Sequence, residues 1–210
     1  MEGSADPVLA SRDRQRVDQT DDALFYRQPR LVVHIDAGAI EAVTEHARRL
    51  FPPDADVLDL MSSYRSHLPV DVSLGTVVGL GMNREELDRN PRLDERVVRD
   101  LNADPVLPFD DGRFGAALCT VSVQYLTRPV AVFGEVRRVL ADGAPFLVTF
   151  SNRCFPTKAV RGWQERDDAG HVELVREYFA ASGGWRGLEC DGRVSRGGDP
   201  LYAVWAFKGE

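Results

Sequence analysis

The chain has 210 residues, 43% hydrophobic and 28% charged, and its 26 basic and 33 acidic side chains leave a net charge of −7. That length supports one sizeable core. The negative balance argues against a broad nucleic-acid-binding surface, and the lack of an 18-residue apolar run argues against a membrane-spanning helix.

Residues 1–22 are polar and without period, which reads as a mobile arm ahead of one domain over 23–210. Ile40, Val43, Ala47 and Leu50 then fall on one helical face, with Asp36 as N-cap and Pro52-Pro53 as the stop. Short apolar runs at 57–60 (VLDL) and 76–80 (TVVGL) read as buried strands. A short helix over 83–90 is capped by Asn83 and stopped by Pro91. Strands are expected at 96–101 and 115–123, followed by a helix over 129–140 with Pro129 in its first turn. PFLVTFS (145–151) is a fifth strand. Helices over 156–165 and 168–181 follow, the second ending at Gly183-Gly184. Two strands close the chain, near 186–191 and 201–207, joined by the turn-rich SRGGDP. Alternation of strands and helices implies a parallel α/β sheet covered on both faces, and the closing pair implies one antiparallel edge strand.

The three cysteines, Cys119, Cys154 and Cys190, form no CxxC pair. His46, His67 and His171 show no ligand spacing with one another or with a cysteine, so no metal site is expected. An odd cysteine count without a secretion signal points to reduced thiols and a cytoplasmic protein.

In an open α/β sheet, ligands bind beyond the carboxyl ends of the strands. Here those loops read MSSYRS, GMN, DLNAD and TVSVQY, rich in small or amide-bearing groups suited to a neutral or zwitterionic ligand. A dinucleotide site would need Gly-x-Gly-x-x-Gly after the first strand and an acid about 20 residues later; neither occurs.

The succession VLDL, VVGLGMN, VVRDLNADPVLPFDDGRFGAALC and VQYLTRPVAVFGEVRRVLADGAPFLVTFSN resembles the motifs of class I S-adenosylmethionine-dependent methyltransferases, with the type 11 group as the nearest pattern. LPF-x-D-x-x-F (Leu107 to Phe114) and E-x-x-R-V-L-x-x-G (Glu135 to Gly143) carry most of the likeness, which extends over about residues 37–208. It implies a Rossmann-like methyltransferase fold, a seven-stranded sheet of order 3-2-1-4-5-7-6 with strand 7 antiparallel. It also implies S-adenosyl-L-methionine as cofactor and a small-molecule acceptor, without nucleic acid or membrane.

By the same resemblance, Asp59, Met61, Ser62, Ser63, Gly81, Met82, Asn83, Asp100, Leu101, Asn102 and Val121 would hold the cofactor. Tyr26, Ser122, Tyr125, Asn152 and Arg153 would face the acceptor, with Arg153 suited to a carboxylate or phosphate. His34 is the candidate general base. The sequence also departs from the family. Met61, Ser63 and Arg65 replace three glycines after the first strand, and Gly81 stands where an acid usually grips the ribose. The serine hydroxyls are expected to offer donors to the methionine carboxylate, and Asn83 or Asn102 to replace the ribose acid. A non-catalytic relative that has lost or weakened the cofactor is the alternative these departures leave open.

Overall fold

Strands that are apolar along their whole length need cover on both faces. In the computed structural model, which describes residues 6–193 and 198–209, every residue of β1 (Val57–Leu60), β2 (Val77–Gly81) and β5 (Pro145–Phe150) is buried. With β3 (Glu95–Val98), β4 (Ala116–Thr120), β6 (Trp185–Arg193) and β7 (Leu201–Lys208), they form one sheet of order β3-β2-β1-β4-β5-β7-β6. The first five strands pair in parallel, and β7 runs antiparallel to both neighbours. This is the order the resemblance implies. The antiparallel strand sits one place inside the edge, and β6 is the edge strand.

The helices are α1 (Asp22–Phe25), α2 (Ala37–Leu50), α3 (Arg84–Asp88), α4 (Pro129–Val139), α5 (Arg161–Gln164) and α6 (Asp168–Ser182). On one face, Phe133 of α4 meets Phe146, Tyr178 and Phe179 edge-on at 5.1, 5.6 and 4.9 Å. On the other, Ala47 and Phe51 join Val57, Leu118, Leu147 and Trp205 in a second cluster. The Asp36 carboxylate caps α2 by accepting from the Ala39 amide at 2.9 Å. Among the described residues, no helix is long and apolar enough to cross a membrane.

The connection from β1 to β2, residues 61–76, contains no helix. Parallel neighbours are usually joined by one, so this stretch of backbone finds other partners, and it shapes the site described below.

Several elements differ from their expected extents. The strand expected over 115–123 stops at Thr120, because Val121 turns to φ 50° and Val123–Tyr125 form a single 3-10 turn. The strand expected over 96–101 spans 95–98, leaving Asp100 beyond its end. The helix expected over 156–165 shrinks to α5, because Lys158 is wholly buried and its ammonium donates to the Thr20 carbonyl at 2.7 Å. Val194 and Ser195–Gly197 of the expected β6–β7 link lie outside the described residues, as do residues 1–5 of the expected arm.

Residues 6–22 do not form an arm. Asp6 accepts from the Val130 amide at 3.2 Å, at the start of α4. Leu9 is 1% exposed and belongs to the main core. Arg161 donates its amide to the Gln15 carbonyl at 2.7 Å, and Asp18 donates its amide to the Thr157 carbonyl at 2.8 Å. A few scattered apolar residues in a polar stretch give no period to read, so the packing of Leu9 was invisible to pattern. Leu9→Ala is expected to lower stability by about 2–4 kcal/mol in urea denaturation, as for a core leucine. A loss below about 0.5 kcal/mol would show that this segment is not packed in solution.

Candidate functional site

The carboxyl ends of β1, β2 and β4 open onto a cavity of about 400 Å³, within the range typical of small-ligand sites. Its floor carries Asp59, Leu80, Gly81 and Thr120, and its sides carry Met61–Arg65, His67, Asp100–Asn102, Val121 and Ser122. Residues from Asp22 to Ile35 cross above it and contribute Tyr26, Arg30 and His34. All the sequence-predicted residues line this cavity except Asn152. Asn152 is exposed, and its side chain accepts from its neighbour, the Ser151 hydroxyl, at 3.4 Å. Met61 and Tyr64 wall the hollow; they do not fill it.

The first loop is tied inward by its own acids. The Ser62 hydroxyl donates to Asp59 Oδ2 at 2.5 Å, and the Ser63 hydroxyl donates to Glu86 Oε2 at 2.7 Å. Both protons are therefore spent inside the protein, and the expectation that they serve a ligand carboxylate is corrected. Asn83 is also committed. Its Oδ1 accepts from the Glu86 amide at 3.1 Å, and its Nδ2 donates to the Tyr26 and Arg27 carbonyls at 2.9 and 3.2 Å. Asn102 donates to Asp22 and to the Tyr125 carbonyl at 3.0 and 2.9 Å, and accepts from the Thr127 amide and hydroxyl at 2.8 and 3.0 Å. Neither amide is left to stand in for the ribose acid. Arg153 lines the rim but is paired with Asp199 at 2.8 Å, so its charge is already met.

Gly81 has a steric cause. A Cβ there would lie 2.2 Å from the Ser62 carbonyl oxygen. The Ser62 amide donates to the Leu80 carbonyl at 2.8 Å, which lays the loop across the end of β2. Any side chain at position 81, acid or not, meets that backbone.

Strain is concentrated here. Four described non-glycine residues have positive φ, and three of them, Met61 (56°), His67 (52°) and Val121 (50°), line the cavity. A left-handed conformation costs about 1–2 kcal/mol for a residue with a Cβ, and more for a branched one such as Val121. Strained residues persist where surrounding contacts over-determine them, and they cluster at functional sites. The Thr44 hydroxyl, for example, donates to the His67 carbonyl at 2.9 Å.

The titratable groups carry the mark of desolvation. Burial pushes the Asp59 carboxyl from 3.8 up to about 6, opposed by hydrogen bonds from Ser62 and Ser66. Burial pushes His67 down to about 4 and lowers His34, whose ring packs edge-on against Phe155 at 5.3 Å. Both imidazoles are neutral at pH 7. Burial also raises the Tyr26 phenol far above its usual range. Asp22 is pushed up by burial but held down overall by hydrogen bonds from Arg16, Asn102 and Lys158. Among the described residues no cluster suits a metal ion.

Sequence reasoning missed Glu86, Arg30, Asp22 and Phe155. Glu86 reads as an ordinary first-turn acid in α3, and nothing in NREELD marks it as the residue that receives both Ser63 and the Arg30 amide (2.7 Å).

Residues 62–148 match the family described as a methyltransferase domain, of type 11. Over that segment, about two fifths of its length, the chain is similar to this methyltransferase family. Uncharacterized proteins of Mycobacterium tuberculosis and Mycobacterium bovis are 33% identical to this chain over 87 residues, covering 38% of it and 30% of their own length. The match thus spans less than a third of those curated relatives. Among solved structures, a SAM-dependent methyltransferase of Thermotoga maritima is 13% identical, covering 82% of this chain and 89% of its own, with a TM-score of 0.59. The [4+2]-cyclase SpnF is 14% identical, covering 80% and 81%, with a TM-score of 0.60. At such identities the likeness is one of fold.

The raised Asp59 fixes the sign of a pH effect. Below about pH 4 its carboxyl is protonated folded or unfolded. Between about 4 and 6 the folded chain holds the extra proton, so stability falls as pH rises through that window, and above 6 a buried charge is carried. Asp59→Asn is therefore expected to gain stability relative to the parent between pH 4 and pH 8, by on the order of 2 kcal/mol at about 1.4 kcal/mol per pKa unit. Urea denaturation at the two pH values checks this, and a difference that does not change with pH contradicts it.

Proposed function

We propose that the cavity binds S-adenosylmethionine and that the chain transfers its methyl group to a small-molecule acceptor. The observation that carries this reading is the meeting of Asp59, Asp100 and three strained residues around one cavity, at the strand ends where this fold holds its ligand. The residues suit an adenosyl ligand in three respects. Leu80, Leu101, Met82 and Leu126 offer apolar surface to a nucleoside. Asp100 receives the Asn102 amide on Oδ1 at 2.8 Å, and its other lone pairs suit an amino donor. The Thr120 hydroxyl, at the end of β4 on the cavity wall, is buried without a partner among the described residues, and such orphans call for a ligand or water.

When bound, the donor supplies a methyl carbon activated by positively charged sulfur, so the protein's tasks are alignment and exclusion of water. Val121, held in its strained turn, and Ser122 form the wall at the end of β4. Tyr26, whose phenol stays protonated, presents a hydroxyl donor from above. A neutral His34 nitrogen takes the acceptor's proton where that acceptor is an alcohol or ammonium. A thiolate or free amine needs no such help. The three cysteines are free, in keeping with a cytoplasmic setting.

A second reading has its own observation. Without the ribose acid, and without a helix after β1, the chain holds fewer donor contacts than the fold usually provides. A binding protein with this fold and no transfer chemistry fits those losses. The two readings separate on titration of S-adenosylmethionine into pure protein. The methyltransferase reading expects saturable binding below about 100 μM, some 5.5 kcal/mol or better, whereas absence of binding at millimolar donor contradicts it.

A further inference from the structure

The loop after the first strand of a nucleotide-binding α/β domain normally runs into a helix whose N-terminal amides and dipole attract an anion. In this chain residues 61–76 form no helix, so that source of positive potential is absent. Four acids, Asp22, Asp59, Glu86 and Asp100, line the cavity. The loop's two serine hydroxyls are already donated to Asp59 and Glu86. A ligand carboxylate in this place needs a cation from somewhere else.

Four arginines line the cavity: Arg30, Arg65, Arg99 and Arg153. Arg153 is paired with Asp199 and Arg99 with Asp104. Arg30 is enclosed between the rings of Phe25 and Phe155, with its Cζ 4.4 and 5.1 Å from their centroids, and it donates to the Phe25 carbonyl at 3.1 Å. Arg65 differs from all three. Among the described residues it has neither a carboxylate nor a carbonyl partner. It stands six residues beyond Asp59 on the loop itself, and the neighbouring Tyr64 ring holds its guanidinium at 4.7 Å. That contact limits the side chain's freedom while leaving its N–H fork unused.

We propose that Arg65 anchors a ligand carboxylate at the mouth of the first loop, in place of the helix terminus that the loop lacks. On the reading of the cavity as an adenosyl site, from which this inference starts, that carboxylate is the one on the methionine end of the donor. A guanidinium meets a carboxylate with two parallel hydrogen bonds and retains its charge at every physiological pH. It therefore replaces both the donors and the positive potential of a helix start. The residue at a position where glycine is usual thus has a use of its own.

The test compares two ligands that differ in the amino-acid portion. S-adenosylhomocysteine carries the carboxylate, whereas 5′-methylthioadenosine keeps the nucleoside and thioether without it. Both are titrated calorimetrically into the full chain and into Arg65→Gln, an exposed position where the substitution leaves the core untouched. The expected result is at least about a tenfold loss of affinity for S-adenosylhomocysteine with a change below about twofold for 5′-methylthioadenosine, and partial recovery in Arg65→Lys, which restores charge without the fork. Equal affinities of Arg65→Gln and parent for S-adenosylhomocysteine overturn the inference while leaving the adenosyl site intact. A parallel loss for both ligands also overturns it. A parent chain that binds neither ligand overturns the adenosyl reading and this inference together.

Discussion

One backbone contact sets the character of the site: the Ser62 amide on the Leu80 carbonyl, with the Ser62 carbonyl lying over Gly81. It extends the pairing of β1 and β2 past the end of the strand and carries the first loop across the place where a side chain from position 81 would stand. The missing acid, the missing glycines and the missing helix are then one rearrangement. A loop that lies on β2 needs no glycine to approach a ligand from above, excludes a carboxylate from β2, and runs on as coil to Gly75, whose own position is closed to a Cβ by the Asp54 carbonyl and Asp56.

The cavity's cover is tied to the same rearrangement. Glu86 takes the Ser63 hydroxyl on one oxygen and the Arg30 amide on the other, while Asn83 holds the Tyr26 and Arg27 carbonyls. Asn102 fastens Asp22 from the opposite side, where Lys158 and Arg16 complete a buried charge cluster. Buried polar groups of this kind are costly unless each finds a partner; Asp22, Glu86, Asn83, Asn102 and Lys158 do, whereas the Arg16 Nε has none among the described residues. The N-terminal segment is thereby held over the strand ends by the residues that in a looser loop would be free to meet a ligand. Left-handed Met61, His67 and Val121 show where the surrounding contacts outweigh local backbone preference.

The frame of the molecule was legible in the sequence because it rests on repeating patterns. VLDL and PFLVTF read as buried strands because they are short and almost wholly apolar runs. The face Val130, Phe133, Val136 and Leu140 reads as a helix because its spacing does. The position of the cavity followed from strand order, and sixteen of the seventeen proposed residues face it. What those residues do there was less legible. Ser62, Ser63, Asn83 and Asn102 are hydrogen-bonding groups whose partners lie 3 to 80 positions away in sequence, and composition does not reveal whether such a group is spent or free. The packing of residues 6–22 escaped for a similar reason: a lone leucine and a few capping acids carry no period. Gly81 was seen as a loss; only the position of the Ser62 carbonyl explains why it is a requirement.

The most direct measurement is to return the acid. Gly81→Asp supplies the acid that the resembled methyltransferases carry at the end of this strand, and its stability and affinity for S-adenosylhomocysteine are read on the same preparation. If the first loop lies on β2 as described, the variant loses at least about 2 kcal/mol through overpacking against backbone and binds the ligand no more tightly than the parent. A variant of undiminished stability that binds more tightly would mean that the space above Gly81 is open, and the account of the remodelled loop would be wrong.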